Sequence, residues 1–255
     1  MIANYHSHTY RCNHAEGTEE GYVLSAIQRG LQILGFSDHT PHFYPEGHSS
    51  KIRMKSDELA GYVETLRQLR HTYGHQIDIR FGLEAEYYPD LFPTLLPFLR
   101  DAGIEYLILG QHWINNEIGE NYNGRPTNDV FMLERYCDQV IEAMDTGVFT
   151  YFAHPDLLNF TGDPQVYRTH MQRLCQAAAE HNLPLEINLL GLNSNRHYPN
   201  PLFWQIAAEV GCSAILGGDI HDPAHFALTE PESQARAMAA ELGLTILDTI
   251  ELRPL

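Results

Sequence analysis

The 255-residue sequence predicts an α/β fold, a distorted seven-stranded βα barrel in a single domain covering residues 1–255. Three observations predict it. Short apolar segments rich in β-formers alternate from end to end with longer segments of helical period. Glycines stand where most of the helical segments should stop, as left-handed C-cap residues do. Metal-ligand side chains recur at the C-terminal ends of the strands, and a barrel gathers those ends into one mouth.

The strands are expected at Ile2 to His8, Ile33 to Asp38, Ile79 to Glu86, Tyr106 to His112, Thr150 to Ala153, Leu185 to Leu190 and Ala214 to Asp219, with an eighth candidate at Leu244 to Ile250. Between them the apolar spacing predicts helices over Glu19 to Arg29, Ser56 to Tyr73, Leu91 to Ala102, Asn128 to Thr146, Pro164 to His181, Pro201 to Val210 and Pro231 to Leu242. Gly30, Gly74, Gly103, Gly147, Gly211 and Gly243 are the expected stops. No Pro/Gly/Ser-rich linker or composition break divides the chain. A doubly wound open sheet is the competing architecture, because strand order is invisible in sequence.

The formal net charge is −17, from 16 Lys and Arg against 33 Asp and Glu. That balance argues against a nucleic-acid or anionic-membrane partner, whose affinity would come from a basic patch. Cys12, Cys137, Cys175 and Cys212 lie far apart with no CxxC pair, so they read as free thiols of a cytoplasmic protein. There is no secretory pattern and no apolar run of membrane-spanning length.

Strand one ends in His6-Ser7-His8, strand two in Ser37-Asp38-His39, strand three in Glu84-Ala85-Glu86, strand four in Gln111-His112, strand five in Ala153-His154 and strand seven in Asp219-Ile220-His221. His14 follows in the loop after strand one. Side chains at i and i+2 of a strand share a face, so His-x-His and Asp-x-His pairs can each aim both members into the mouth. Imidazoles and carboxylates are the donor set for zinc, manganese or iron. His6, His8, His14, His39, Glu84, His112, His154, Asp219 and His221 make nine candidate ligands, enough for two ions, or three if carboxylates bridge. The other histidines read as ordinary surface or helix-end residues, except His197 on a mouth loop.

In this order, His6-Ser7-His8, Cys12-Asn13-His14-Ala15-Glu16-Gly17, Ser37-Asp38-His39-Thr40-Pro41, Gly82-Leu83-Glu84-Ala85-Glu86, Gly110-Gln111-His112, Ala153-His154-Pro155-Asp156 and Gly218-Asp219-Ile220-His221 resemble the successive motifs of the polymerase-and-histidinol-phosphatase (PHP) family. The resemblance covers nearly the whole chain and implies a trinuclear metal site. One ion would lie among His6, His8, Glu84 and Asp219, a second among Glu84, His112 and His154, and a third among His14, His39 and His221. The stretches around His14 and His39, the basic segment Lys51 to Lys55 and the loop Gly191 to Pro199 are most similar to stand-alone histidinol-phosphate phosphatases. The implied activity is metal-dependent hydrolysis of a small phosphomonoester. Another phosphate ester, such as a nucleotide or cyclic phosphate, is the alternative, and a 3′-5′ exonuclease or a metal-binding module without turnover are less favoured.

A dianionic phosphate in so acidic a protein needs a cationic clamp. Arg196, on a mouth loop, is the first choice because a guanidinium grips two phosphate oxygens; Arg53 and Lys51 follow. His197 is a candidate general acid for the leaving alkoxide. Glu84 is expected to serve catalysis through the metals, Asp38 to orient a ligand such as His39, and Glu16 to contact a cationic part of the substrate. The mouth loops Phe43 to Lys55, Ile114 to Pro126 and Leu190 to Pro201 carry no pattern that names the substrate. Oligomeric state is not readable from this sequence.

Overall fold

The computed structural model describes residues 1–45, 48–119 and 122–255; parts of two mouth loops, residues 46–47 and 120–121, lie outside the described residues. One sheet of eight parallel strands runs in sequential order: β1 (Ala3–Asn4), β2 (Ile33–His39), β3 (Asp78–Ala85), β4 (Tyr106–Leu109), β5 (Phe149–Phe152), β6 (Leu185–Asn188), β7 (Ser213–Gly217) and β8 (Thr245–Leu247). Sequential order rules out the doubly wound alternative, which requires a reversal of strand order. At the mouth Ser7 bridges in parallel to Ile220, with His8 N–H donating to the Ile220 carbonyl at 2.9 Å. The chain beyond β1 therefore meets the chain beyond β7, while β8 pairs with the first half of β7. Seven strands curl toward a ring and the eighth is appended to its far rim.

The helices are α1 (Glu19–Arg29), α2 (Leu59–Tyr73), α3 (Phe92–Ala102), α4 (Val130–Asp145), α5 (Pro164–Glu180), α6 (Leu189–Asn193), α7 (Pro201–Val210) and α8 (Glu230–Leu242). Their starts follow from capping chemistry. Thr18, Asp129, Asp163 and Asn200 each accept a hydrogen bond from a backbone N–H of the first turn of α1, α4, α5 and α7. Of the six expected glycine stops, five have positive φ; Gly74 does not, with φ of −61°, because the chain continues the right-handed turn through Gly74 before β3.

The hydrophobic residues divide into two cores. The larger lies between the sheet and the helical layer, with Tyr22, Phe36, Tyr62, Phe149 and Trp204 among its fully buried members. The smaller fills the barrel interior with Ala3, Tyr5, Tyr106, Ile108, Tyr151, Ala153 and Ile215. Tyr106 donates to the carbonyls of Tyr5 (2.8 Å) and Phe36 (3.0 Å), tying three strands together from inside. This plug fills the interior beneath the mouth and forms the floor on which the polar site stands.

Several elements are shorter than expected. The first strand ends at Asn4 rather than His8, because the stretch carrying His6 and His8 leaves the regular β2 ladder, keeping one backbone bond to it from Ser37 N–H to the Ser7 carbonyl at 2.8 Å, and pairs instead with Ile220. The sixth stops at Asn188 rather than Leu190: Asn188 caps α6, a short helix the periodicity did not reveal, by accepting from Gly191 N–H at 2.8 Å.

Candidate metal centre

All nine candidate ligands converge at the C-terminal ends of the strands. Eight of them line a cavity of about 800 Å³, and His6 lies buried beneath it. Glu84, on β3, is at the centre. Its Oε1 lies 2.8 Å from His154 Nε2 and 3.4 Å from His112 Nε2; its Oε2 lies 3.2 Å from His39 Nδ1 and 3.5 Å from both His6 Nε2 and His8 Nε2. Asp219 Oδ1 closes the first cluster at 3.5 Å from His6 Nε2 and 3.2 Å from His8 Nε2. On the outer side His14 Nε2 and His221 Nε2 face each other at 3.1 Å, and with His39 they form a further cluster within 4.8 Å.

These separations fit a shared cation better than direct hydrogen bonding. Two donors each about 2.05 Å from a tetrahedral ion lie about 3.3 Å apart. The distances around His6, His8, Glu84 and Asp219 scatter about that value, whereas unmediated hydrogen bonds would be closer to about 2.9 Å. Among the described residues the buried nitrogens His6 Nε2, His8 Nε2 and His39 Nδ1 have no hydrogen-bond partner, an arrangement that costs free energy unless something else satisfies them. His14 Nδ1 is bonded to the Cys12 carbonyl (2.7 Å) and His221 Nδ1 to the Asp219 carbonyl (3.0 Å). A carbonyl only accepts, so each ring carries a proton on Nδ1, and with both rings neutral the two Nε2 lone pairs point at one another across 3.1 Å. A cation between them removes that repulsion.

The electrostatics agree. Burial opposes the charge on Glu84 and Asp219, yet the surrounding imidazoles hold both carboxyls well below their ordinary range. Burial likewise opposes protonation of His6, but Glu186, Asp219 and Glu84 raise it to about 10. His39 and His221 are pushed down, chiefly by burial and then by the charge on His8, His221 to about 3. Anionic carboxylates packed against imidazoles that a bound cation would deprotonate make a site for divalent cations. The backbone is also constrained there: His154 (φ 32°) and Asp219 (φ 49°) both occupy the left-handed region that a Cβ atom disfavours.

The site is braced by groups whose role the sequence did not disclose. Glu86, two residues beyond Glu84 on the same face, bonds His112 Nδ1 at 2.8 Å and His42 Nε2 at 3.1 Å. Glu186 bonds His6 Nδ1 at 2.8 Å. Asp38 accepts from the His39 backbone N–H at 2.7 Å and from Thr9, and its Oδ1 lies 3.8 Å from His8 Nδ1; it braces the first loop rather than the His39 ring. All four cysteines are free and buried, and Cys12 lies against the cluster, within 4.8 Å of ligand atoms of His8 and His221.

The expected substrate contacts divide. Arg196 lines the cavity, its Nη1 donating to Tyr198 Oη at 2.6 Å, and Lys51 is exposed on the same wall. Arg53 is not available as a clamp. Its five N–H groups are all engaged, by Glu86 Oε1 and Oε2, Glu117 Oε2 twice, and the Thr40 carbonyl, at 2.8 to 3.1 Å. A buried guanidinium with no spare donor ties two mouth loops together instead. His197 does not line the cavity: its Nε2 lies 2.7 Å from the carbonyl of Leu157, so its ring pins the Arg196 loop instead of facing a leaving group. Glu16 is exposed, and only its backbone meets the site, donating to the His221 carbonyl at 2.7 Å. Glu117 was missed; apart from Glu84 and Asp219 it is the one carboxylate lining the cavity among the described residues.

Comparison with known proteins agrees with this architecture. A PHP domain model matches residues 4–189. A probable histidinol-phosphatase of Deinococcus radiodurans is 30% identical over 233 residues, covering 87% of each chain. A probable histidinol-phosphatase of Schizosaccharomyces pombe is 25% identical over 286 residues, covering 100% of this chain and 91% of the relative. In fold, the chain is similar to the crystal structure of histidinol phosphate phosphatase from Lactococcus lactis complexed with zinc, L-histidinol and phosphate, with a TM-score of 0.72, 19% identity and coverage of 98% and 97%. The ligand cluster, the barrel that assembles it and the match over residues 4–189 lead to one conclusion: the chain belongs to the PHP domain family.

Proposed function

We propose that this protein is a metal-dependent phosphomonoester hydrolase that converts L-histidinol phosphate and water to L-histidinol and inorganic phosphate, in histidine biosynthesis. The observation that carries the reading is the Glu84 carboxylate with five imidazole nitrogens 2.8 to 3.5 Å from its two oxygens, at the floor of a cavity sized for a small molecule. Relatives described as histidinol-phosphatases across 87% or more of their length support the choice of substrate.

His6, His8, Glu84 and Asp219 would hold one divalent ion, Glu84, His112 and His154 a second, and His14, His39 and His221 a third; zinc, manganese and iron all suit this donor set. When bound, such ions activate water at neutral pH and polarise a phosphoryl oxygen. The remaining work belongs to the protein. Arg196, pre-oriented by Tyr198, grips the phosphate from the cavity lining, and Lys51 adds positive potential at the rim. Glu117, whose Oε2 is held by Arg53, offers its other oxygen to the cationic amine of histidinol, and Trp113 and Tyr122 supply aromatic wall for its imidazole. Residues 1–255 act as one catalytic unit, and the four free cysteines support a reducing, cytoplasmic setting.

Rates of phosphate release from histidinol phosphate, nucleoside monophosphates, cyclic phosphates and single-stranded DNA test the reading. The expected result is a kcat/KM for histidinol phosphate at least about 100-fold above every other substrate, since a site that pairs polar groups rejects ligands lacking them. A higher kcat/KM on any other ester would replace the proposed substrate.

A further inference from the structure

Strand β6 is the one barrel strand whose mouth end contributes no candidate ligand, yet it ends in two inward polar residues, Glu186 and Asn188, both fully buried. Glu186 Oε2 accepts from His6 Nδ1 at 2.8 Å, which leaves Nε2 of that ring to face Glu84 and Asp219. Glu186 Oε1 accepts from the Asn188 amide at 2.7 Å, and the same amide nitrogen lies 3.1 Å from Asp219 Oδ2. Asn188 thereby holds one oxygen of Asp219 and turns the other, Oδ1, toward His6 and His8. Its own carbonyl oxygen is fixed by the Gly191 N–H at 2.8 Å, so the amide cannot flip without losing all three bonds. Space for the carboxylate is specific: a Cβ on Gly217 of β7 would lie 2.0 Å from Glu186 Oε2.

We infer that Glu186, acting directly on His6 and through Asn188 on Asp219, is the positioning residue that presets two of the four ligands of the first metal site. A ligand histidine whose distal N–H is held by a carboxylate is fixed in tautomer and orientation and is a stronger donor. Here one buried carboxylate does this for a histidine and, by way of an amide, for the acidic ligand beside it. The inference rests on reading the mouth as a metal centre and is independent of which ester is hydrolysed.

The test is zinc affinity, measured by competition with a chromogenic chelator on metal-stripped protein, for wild type, Glu186→Gln, Asn188→Ser and Glu84→Ala. Glu186→Gln keeps the size and an acceptor oxygen but removes the charge, and it should weaken one zinc site by about 10- to 100-fold while the thermal midpoint of the stripped protein stays close to wild type. Asn188→Ser, which leaves Glu186 in place, should weaken the same site by a smaller factor and keeps the inference testable if Glu186→Gln does not fold. Wild-type zinc affinity in whichever of these two variants folds, alongside zinc loss in Glu84→Ala, would overturn the role assigned to strand six. Undiminished zinc binding in Glu84→Ala would instead overturn the metal-centre reading beneath it.

Discussion

Gly110, which follows β4, is the position where the smallest substitution should do the most damage. An added Cβ would lie 2.0 Å from Glu84 Oε1 and 2.6 Å from its Cδ and Cγ. Relief requires the carboxyl to move by at least about 1 Å, since non-bonded atoms settle near 3.5 Å. Glu84 has little freedom to do so, being 1% exposed and bonded to His154 at 2.8 Å, with four further imidazoles around its oxygens. A displacement of about 1 Å in a reacting constellation costs about 100-fold in rate, equivalent to about 2.7 kcal/mol of barrier. Gly110→Ala should therefore lower kcat/KM on histidinol phosphate about 100-fold and reduce the number of ions retained after gel filtration, counted by elemental mass spectrometry. Gly61→Ala is the control: it lies on α2 with open space around the added methyl, and should keep activity while stabilising the fold by about 0.5–1 kcal/mol. Wild-type activity and metal content in Gly110→Ala would refute the placement of Glu84 at the centre of the site.

Arg196→Ala should lower kcat/KM at least tenfold, about 1.4 kcal/mol, and Arg196→Lys should not fully restore it, because an ammonium lacks the two-pronged grip; steady-state kinetics on both variants decides this. Arg53→Ala should act on stability instead, costing about 3–5 kcal/mol in denaturant unfolding because Glu86 and Glu117 lose their buried partner. In His197→Gln the alkaline limb of the kcat profile should keep its position, whereas a general acid lost from that position would abolish it.

Much of the centre was legible because the strands are parallel. Parallel strands bring the same ends together, so His6 and His8 just beyond β1 and Asp219 and His221 just beyond β7 reach one mouth, although the chain has left regular strand geometry there. What stayed hidden depends on contacts distant in sequence. Lys51-Ile52-Arg53 reads as a basic run, but whether an arginine meets solvent, a phosphate or two buried carboxylates depends on Glu86 and Glu117, and Arg53 meets those. His197 shares a loop with Arg196, yet its ring direction is set by the Leu157 carbonyl 40 residues away. Glu186 and Asn188 do carry the inward period, and the absence of a histidine there concealed their part. The closure of β1 against β7 through Ser7 and Ile220 is likewise a pairing between chain ends.

The account stands most directly on one titration: phosphate release from histidinol phosphate by protein stripped of metal, followed as zinc or manganese is returned. It predicts negligible release from stripped wild type, recovery that saturates at two to three bound ions per chain, and no recovery in Glu84→Ala. Full activity in the stripped protein, or recovery in Glu84→Ala equal to wild type, would contradict it.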